Sequence, residues 1–339
     1  MTQIEEFNYN LPRELIAQYS VQPRDHSRLM VLDRQTGKFS HKKFFEIVDE
    51  LNKGDVLVFN DTKVFRARLK TQHGVEIFLL RARENNIWEV LVRSGKKVNV
   101  GQTLCIDHGI EKLCGEMVEK SDGIVLVKFD CAPEDVIAFA NAHGEIPIPP
   151  YVKNKPERLE DYQTIYAKET GSVAAPTAGF HFTENLMDEL KAKGVQFEFV
   201  TLHVGIGTFR PMKTRTIEEH VMHSEFVSVS KEVAERINQA KKEKHRVIAV
   251  GTTTVRTLEG IASVCGELCD FTGDVNLFIK PGFDFKIVDG LITNFHLPKS
   301  TLLVLVSAFT GRENILRAYK EAVSQQYRFF SFGDAMFIV

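Results

Sequence analysis

The sequence predicts an α/β fold in which a larger domain, built from both ends of the chain, is interrupted by a small antiparallel β-barrel. Of the 339 residues, 43% are apolar, which is enough for a large buried core and about two domains. Strand-like and helix-like segments alternate on both sides of the chain centre, as in an α/β sheet. Residues 64–129 instead contain short strand-like segments separated by polar turns, at the spacing of about ten residues that is typical of a small barrel.

The elements follow in chain order. FFEIVDELN (44–52) predicts a helix and DVLVFND (55–61) a strand. The helix in SKEVAERINQAKKEKH has Ser230 as its N-cap, Glu232 in its first turn and a basic last turn, so that charge and helix dipole agree. The predicted barrel strands are VFRARLK, GVEIFLLRAR, IWEVLVR, QTLCI, LCGEMVEK and GIVLVKF, and the later strands of the larger domain are VQFEFVTLHV, RVIAVGT and VNLFI. The predicted domain limits are 1–63 with 144–339 for the larger domain, and 64–143 for the inserted barrel.

Composition restricts the compartment and the partners. The five cysteines lack C-x-x-C spacing, which argues against a disulfide framework or a zinc ribbon. The N-terminus has no basic segment followed by an apolar run, and no apolar stretch reaches membrane-spanning length. We therefore expect a cytoplasmic protein without disulfides or membrane contact. The net charge of −2 still permits nucleic-acid binding, because phosphate contacts need only a local basic stripe such as Lys63, Arg66 and Arg68.

Two glycine-containing turns and one proline-rich segment are candidates for ligand binding. In the first turn, strand RVIAV runs into Gly251, Thr252, Thr253 and Thr254, and a helix containing Arg256 follows. Such a turn offers backbone amides, hydroxyls and a positive helix end to a carboxylate or phosphate. The second turn, LHVGIGTF, contains His203, Gly205, Gly207 and Thr208, and its glycines allow close approach of a ligand. Segment 144–185 is long and irregular, which indicates a functional loop.

Histidines next to carboxylates are natural proton carriers near neutral pH. EEHVMHSEF places His220, His223 and Glu225 close together, His181 lies in AGFHFT, and His296 follows Asn294 and Phe295 in TNFHLP. In a strand, His223 and Glu225 would project to one face and His220 to the other, whereas a helix would pair His220 with His223. The segment therefore leaves two alternatives open, a proton-transfer pair or a metal site of a hydrolase, although it does not match H-E-x-x-H.

In combination, the motifs resemble the family of S-adenosylmethionine:tRNA ribosyltransferase-isomerases of queuosine biosynthesis, nearly from end to end. The one departure is GDVNLFIKPGF, in which a further hydroxyl residue is expected near Asn276. The stretches that carry the resemblance are FNYNLPRELIAQ, RDHSRLMVL, VFNDTKVFRARL, GEIPIPPY, YQTIYA, GSVAAPTAGFHFT, LHVGIGTFRP, HVMHSE, VIAVGTTTVRTLE, TNFHLPKSTLLVLVSAFTG and YRFFSFGDAMFI.

The resemblance implies an α/β domain with an inserted barrel and an enzyme that consumes S-adenosylmethionine as a substrate. It implies that the ribosyl moiety passes to 7-aminomethyl-7-deazaguanine at the wobble position of tRNAs with a G-U-N anticodon. The products would be epoxyqueuosine in tRNA, adenine and methionine. No cofactor and no metal are implied, and we expect a monomer.

This chemistry requires a proton acceptor and a proton donor. The sulfonium acidifies the adjacent ribose methylene, so a positioned base could remove a proton there, while adenine departure needs a donor. The candidates are His203, His223 and Glu225, followed by His181 and His296. Phe180 and Phe295 could stack on adenine or on the sulfonium. The remaining predicted substrate contacts are Gly205, Gly207, Thr208, Thr252, Thr253, Thr254, Arg256 and Asn294, and the predicted tRNA contacts are Lys63, Arg66 and Arg68.

Two other functions are compatible with parts of the sequence. One is a metal-dependent hydrolase that uses His220, His223 and Glu225, which metal analysis of the purified protein would detect. The other is a non-catalytic RNA-binding module, which would retain tRNA without turning over S-adenosylmethionine.

Overall fold

The computed structural model describes residues 1–71, 74–93, 99–121, 123–149, 151–154, 156, 158–205, 212, 214–222 and 224–339. The strands within these ranges are β1 (Arg28–Leu32), β2 (Phe39–Lys43), β3 (Val56–Asn60), β4 (Thr62–Val64), β5 (Arg68–Lys70), β6 (Glu76–Ala82), β7 (Ile87–Arg93), β8 (Thr103–His108), β9 (Glu111–Ser121), β10 (Ile124–Phe129), β11 (Glu169–Ser172), β12 (Gln196–His203), β13 (Glu225–Val229), β14 (Val247–Val250), β15 (Phe271–Val275), β16 (Gly290–Asn294) and β17 (Ala335–Ile338). The α-helices are α1 (Ile47–Glu50), α2 (Pro133–His143), α3 (Glu184–Lys193), α4 (Lys231–Lys242), α5 (Thr252–Cys265), α6 (Thr301–Thr310) and α7 (Arg312–Ser324).

The larger domain is organised around a nine-stranded mixed sheet in the order β15-β13-β12-β3-β14-β16-β17-β1-β2. Its centre, β12-β3-β14-β16, is parallel, and β17 and β13 flank this centre in antiparallel orientation. β3, β14 and β16 are buried along their whole length, as expected for central strands covered on both faces. The predicted α/β class is confirmed.

Local hydrogen bonds and charges set the ends of helix α4 in this domain. The hydroxyl of Ser230 accepts a hydrogen bond from the amide of Val233 at the start of α4, and Lys241 and Lys242 lie in the last turn, which confirms the predicted capping. Helix α5 is mostly buried, and its first eleven residues are all buried. Within it, the Glu259 carboxylate accepts the backbone amides of residues 286–288 and so fastens the segment before β16 to the helix.

The middle of the chain forms a six-stranded antiparallel sheet in the order β5-β6-β7-β10-β9-β8, which is the predicted barrel in a nearly closed form. Its core contains Trp88 and Phe65, and Val136 and Ala140 of α2 pack against the same core. β4 pairs with β11 in a separate two-stranded ribbon. The barrel strands and α2 all lie inside the predicted 64–143 insert, whose limits stay a prediction.

Some local predictions are wrong. VFRARLK divides into β4 and β5, and VNLFI is not a strand, because only Val275 belongs to β15, which runs antiparallel to β13. The expectation of no disulfides is also wrong. Cys105 and Cys114 oppose each other across β8 and β9 and are bonded, as are Cys265 and Cys269. The spacing rule missed the first pair because strand register, not sequence proximity, brings those two residues together.

None of the helices that the structure describes is both long and apolar enough to cross a membrane.

Candidate functional site

A cavity lies at the carboxyl edge of the parallel strands, the edge at which ligands bind in open α/β sheets. The space between its walls, with the open solvent at its mouth included, is about 500 Å³. The strands β12, β14 and β16 each end at this cavity. It is called the main cavity below, and its lining comprises Ala175, Pro176, Thr177, Ala178, Val204, Gly251, Thr252, Thr253, Thr293, Asn294, His296, Leu302, Phe330 and Ser331.

The N-terminus of α5 forms one wall of the main cavity. Gly251, at a φ of +94°, turns the chain from β14 into the helix, a backbone conformation that glycine adopts without strain. The amides of Thr252 and Thr253 have no partner inside the helix and are available to an acceptor. The hydroxyl of Thr254 instead donates to the carbonyl of Val250 and faces away. Two of the three predicted threonines therefore reach the cavity.

His296 contributes a neutral imidazole to the main cavity. Its Nε2 lies 3.1 Å from the Thr293 hydroxyl oxygen in a hydrogen bond. Its backbone is held on both sides, because the Tyr319 hydroxyl accepts its amide and the Tyr9 hydroxyl donates to its carbonyl. Burial lowers the pKa of His296 to about 3, so the ring is uncharged at neutral pH and can accept a proton or a hydrogen bond.

A chain of hydrogen bonds joins Asn294 to His181. Asn294 Nδ2 donates to His181 Nε2 at 3.1 Å, and Asn294 Oδ1 accepts from the Thr177 hydroxyl at 3.0 Å. Because Nε2 is an acceptor, Nδ1 of His181 carries the proton and donates to the Ser27 hydroxyl oxygen, 2.7 Å away. Both ring nitrogens of His181 are thus hydrogen-bonded. His181 therefore holds the side-chain amide of Asn294 in one orientation at the main cavity.

His181 also lines a second, smaller cavity of about 200 Å³, called the His181 cavity, which shares Ser331 with the main cavity. Phe180 lines it as well, and the Arg24 guanidinium lies 4.9 Å from the centre of the Phe180 ring. Burial, together with a smaller effect of the charges of Arg24 and Arg328, lowers the pKa of His181 to about 3. The predicted pair of Phe180 and His181 therefore adjoins the main cavity without lining it.

His203 lies apart from these cavities. Val204 faces the main cavity, so His203, the preceding residue, projects to the other side of the strand. There His203 Nδ1 is 2.8 Å from the Thr62 hydroxyl oxygen, and the ring stacks on Phe226 with centroids 5.3 Å apart. Burial lowers the pKa of His203 to about 4, with a smaller lowering by Arg81 and an opposing effect of Glu169. The structure thus does not bring His203 together with His296.

Arg256 and Glu225 form a buried ion pair, and both side chains are about 5% exposed. Glu225 also accepts the Gly205 amide at 3.4 Å, so the pair ties the end of β12 to α5 and β13. Arg256 lines a third cavity of about 260 Å³, the Arg256 cavity, which shares Leu302 with the main cavity. The two residues that the sequence separated into a binding role and a proton-transfer role are therefore direct partners.

Several predicted site residues do not reach a cavity or lie outside the described residues. Phe295 is fully buried against Tyr319, Tyr327 and Phe329. The prediction that it stacks on substrate is wrong, because it projects to the face opposite that of Asn294 and His296. Gly207, Thr208 and His223 lie outside the described residues.

The segment before β13 is neither helix nor strand at His220. The choice between a strand, which would turn His220 away from His223, and a helix, which would pair the two, therefore does not apply to His220. The His220 ring contacts Phe278, with centroids 5.5 Å apart. In the part of the chain that the structure describes, no group of three or more His, Cys, Asp or Glu side chains could hold a metal ion.

The predicted tRNA contacts differ in their availability. Lys63 is exposed. The Arg66 guanidinium donates to the carbonyl of Gly144, and the Arg68 guanidinium lies over the ring of Phe78. Of the three residues, Lys63 is therefore the one whose ammonium group faces solvent rather than another part of the protein.

Sequence reasoning missed part of the lining. Thr177, Thr293, Phe330 and Ser331 line the main cavity, and Ser27 orients His181. The signal for Thr177 was available, since PTAG lies in the segment predicted to be a functional loop. Ser27 and Ser331 lie hundreds of residues apart and become neighbours only through the pairing of β1 with β17.

A mixed α/β sheet with a cavity at the carboxyl ends of its parallel strands is the arrangement of ligand-binding α/β proteins. Comparisons with known proteins specify the family. The family model described as "Queuosine biosynthesis protein" matches residues 4–338. The S-adenosylmethionine:tRNA ribosyltransferase-isomerase of Staphylococcus haemolyticus is 50% identical, and that of Clostridium kluyveri is 52% identical; each alignment covers 99% of both chains.

A crystal structure of the S-adenosylmethionine tRNA ribosyltransferase from Thermotoga maritima is similar to this chain, with 42% identity and a TM-score of 0.58, and covers 98% of this chain and 100% of that one. This chain belongs to the S-adenosylmethionine:tRNA ribosyltransferase-isomerase family of queuosine biosynthesis. The resemblance found in the sequence is confirmed.

Proposed function

We propose that this enzyme transfers and isomerises the ribosyl moiety of S-adenosylmethionine onto 7-aminomethyl-7-deazaguanine at the wobble position of tRNAs with a G-U-N anticodon. The products are epoxyqueuosine in tRNA, adenine and methionine. S-adenosylmethionine is a consumed substrate in this proposal, and the chain needs no further cofactor. Family membership supports the class of reaction, and the main cavity supports the way in which the chain performs it.

The observation that carries the proposal is the composition of the main cavity. It combines the free amides at the start of α5, the fixed amide of Asn294 and the neutral imidazole of His296. Preoriented donors of this kind can hold a ribose and stabilise the charge that develops on a departing base.

The first chemical step is removal of a proton from the ribose methylene beside the sulfonium. His296 is our candidate for the base, because it lines the main cavity next to Asn294 and Thr293. The electron pair stays on the methylene carbon, stabilised by the adjacent positive sulfur. Adenine then leaves with the electron pair of the glycosidic bond and takes up a proton. The amine nitrogen of the tRNA base bonds to a ribosyl carbon and releases a proton. Methionine departs when the carbon–sulfur bond breaks with its electron pair going to sulfur, which becomes a neutral thioether.

The roles of the other candidates change accordingly. His181 is a positioning residue, because both of its ring nitrogens are bonded and it acts on the cavity through Asn294. Glu225 acts through Arg256 rather than at the main cavity. Lys63 is the candidate for a tRNA phosphate contact, and the predicted monomer and cytoplasmic location are kept as part of the proposal.

Product analysis tests the proposed reaction. The protein is incubated with S-adenosylmethionine and tRNA that carries the modified base, and adenine and methionine are measured by chromatography. We expect both products in equal amounts, and neither with tRNA that lacks the aminomethyl group. Release of S-adenosylhomocysteine would indicate a methyltransferase instead. Retention of tRNA without any turnover would indicate a binding module.

A variant pair tests the role of His296. We expect His296→Gln to lower adenine release by a factor of about a hundred or more, the usual loss of a general base. His203→Gln is the matched control, because this histidine is partly buried, also has a lowered pKa, and lies outside the cavity. Equal losses in both variants would remove His296 from the mechanism.

A further inference from the structure

Tyr19 is an aromatic side chain that the fold leaves in solvent. It is 70% exposed, whereas the other tyrosines of the chain are buried or half-buried. A single exposed ring is ordinary on a protein surface. Its surroundings therefore decide whether the ring has a ligand.

The segment that carries Tyr19 is fastened to the wall of the main cavity. Gln18 Nε2 donates to the carbonyl of Tyr151 at 3.1 Å. The Tyr151 hydroxyl is hydrogen-bonded to the Ser331 hydroxyl, and the Tyr151 ring packs edge-on against Phe330 with centroids 4.2 Å apart. Phe330 and Ser331 both line the main cavity. Tyr19 therefore lies at the surface beside that wall.

Arg328 brings a positive charge to the same place. Its guanidinium donates to the Tyr19 carbonyl and lies 5.3 Å from the centre of the Tyr19 ring. Arg328 is two residues from Phe330, so the backbones of the two lie within about 7 Å of each other. The nearby Asp334 carboxylate accepts the backbone amides of Arg28 and Arg328. The half-buried Arg328 guanidinium, which has five N–H donors, thus keeps donors for an external anion.

A second cation lies on the other side of Tyr19. Lys153 is exposed, and its backbone amide donates to Gln18 Oε1 at 2.8 Å. Tyr19, Lys153 and Arg328 are called the Tyr19 surface below. An aromatic ring flanked by cations is the combination that binds single-stranded RNA, because bases stack on the ring while phosphates contact the cations.

We infer that the Tyr19 surface binds the nucleotide next to the modified base in the anticodon loop, with the base stacked on Tyr19 and a phosphate on Arg328. This step rests on the proposed function, in which the wobble base of tRNA enters the main cavity. A base that enters a cavity has to leave its stack, which costs free energy because its neighbour loses a stacking partner. The Tyr19 ring supplies a new partner beside the cavity. It thereby holds the RNA chain where the reacting nucleotide leaves the loop.

RNA binding measured by fluorescence anisotropy without S-adenosylmethionine tests this inference, because no turnover occurs. The ligand is a synthetic hairpin with the sequence of the anticodon arm and the modified base. Two further hairpins lack the base of the nucleotide before or after it. For the unaltered protein we expect one of these two hairpins to bind about tenfold more weakly than the intact hairpin.

The variant Tyr19→Leu should bind the intact hairpin about tenfold more weakly than the unaltered protein does. Removal of the neighbouring base should then cause no further loss, since both changes remove the same stacking contact. Phe45→Leu is the matched control. Phe45 is also an exposed ring, 40% exposed, but it packs against His26, so we expect this variant to behave like the unaltered protein.

The salt dependence of binding tests the phosphate contact. We expect Arg328→Gln to reduce the slope of log affinity against log salt by about 0.7, the contribution of one phosphate of a single strand. Arg317→Gln is the control, because its guanidinium also donates to a backbone carbonyl, that of Gly37, and we expect its slope to be unchanged.

Two results would overturn the inference. One is unchanged affinity of Tyr19→Leu for the intact hairpin. The other is a loss on base removal that is as large in Tyr19→Leu as in the unaltered protein. Either result is separate from the proposed reaction, because release of adenine and methionine is decided by the product analysis. An unchanged salt slope in Arg328→Gln would remove the phosphate from the surface.

Discussion

The two fully buried histidines of the site should make the protein sensitive to acid. Burial lowers the pKa of His181 and of His296 from 6.5 to about 3. Between these values each histidine binds a proton in the unfolded chain but not in the folded one. Stability is therefore greatest above pH 6.5 and is lost as the pH falls toward 3.

The size of the effect follows from the difference between the pH and the pKa of the unfolded chain. One pKa unit corresponds to about 1.4 kcal/mol, so at pH 5 each histidine costs about 2 kcal/mol of stability relative to pH 7.5 or above. The two histidines together should cost about 4 kcal/mol. This value hardly depends on the folded-state pKa as long as the latter lies well below 5.

The assay is urea unfolding at pH 7.5 and pH 5 for the unaltered protein and for His181→Asn, His296→Asn and the double variant. We expect each substitution to reduce the loss between the two pH values by about 2 kcal/mol. The buried Asp334 has a raised pKa and acts in the opposite direction, so only differences between variants are compared. His26→Asn, which removes an exposed ring, is the control. The same pH dependence in all variants would refute the reasoning.

Three further predictions concern other parts of the molecule. Glu259→Gln should lower the free energy of unfolding by about 2–4 kcal/mol, because the charged acceptor of three backbone amides is lost; an unchanged urea midpoint would contradict this. Asn294→Ala should lower kcat for adenine release about tenfold or more while circular dichroism stays native, and unchanged kcat would exclude Asn294 from the site. Lys63→Ala should weaken tRNA binding and reduce the slope of log affinity against log salt by about one, whereas an unchanged slope would mean that Lys63 contacts no phosphate.

The main cavity lies at the carboxyl edge of the sheet, where its wall is fixed by the fold. The cavity wall is built from strand ends and helix starts, which are held by the buried sheet rather than by mobile side chains. Gly251 and Asn294 occupy the ends of neighbouring parallel strands. A substrate bound there therefore meets preoriented amides and does not have to organise them.

The sequence by itself determined the fold class, the inserted barrel, the capping of α4 and the importance of the turn at Gly251, because each of these depends on local periodicity or local hydrogen bonding. It also singled out Asn294, His296 and His181, because histidines in such loops are natural proton carriers near neutral pH. Family identity followed from the order of many motifs. None of these conclusions needed contacts between distant parts of the chain.

Only the tertiary structure decided which candidates share a cavity. Strand alternation turned Val204 inward and His203 outward, and buried Phe295 while exposing its neighbours to the main cavity. The pairing of Arg256 with Glu225 joins residues 31 positions apart, and Ser27 reaches His181 across 154 positions. Side-chain direction and long-range contact are set by sheet register and packing, and these are properties of the folded chain as a whole rather than of any local pattern.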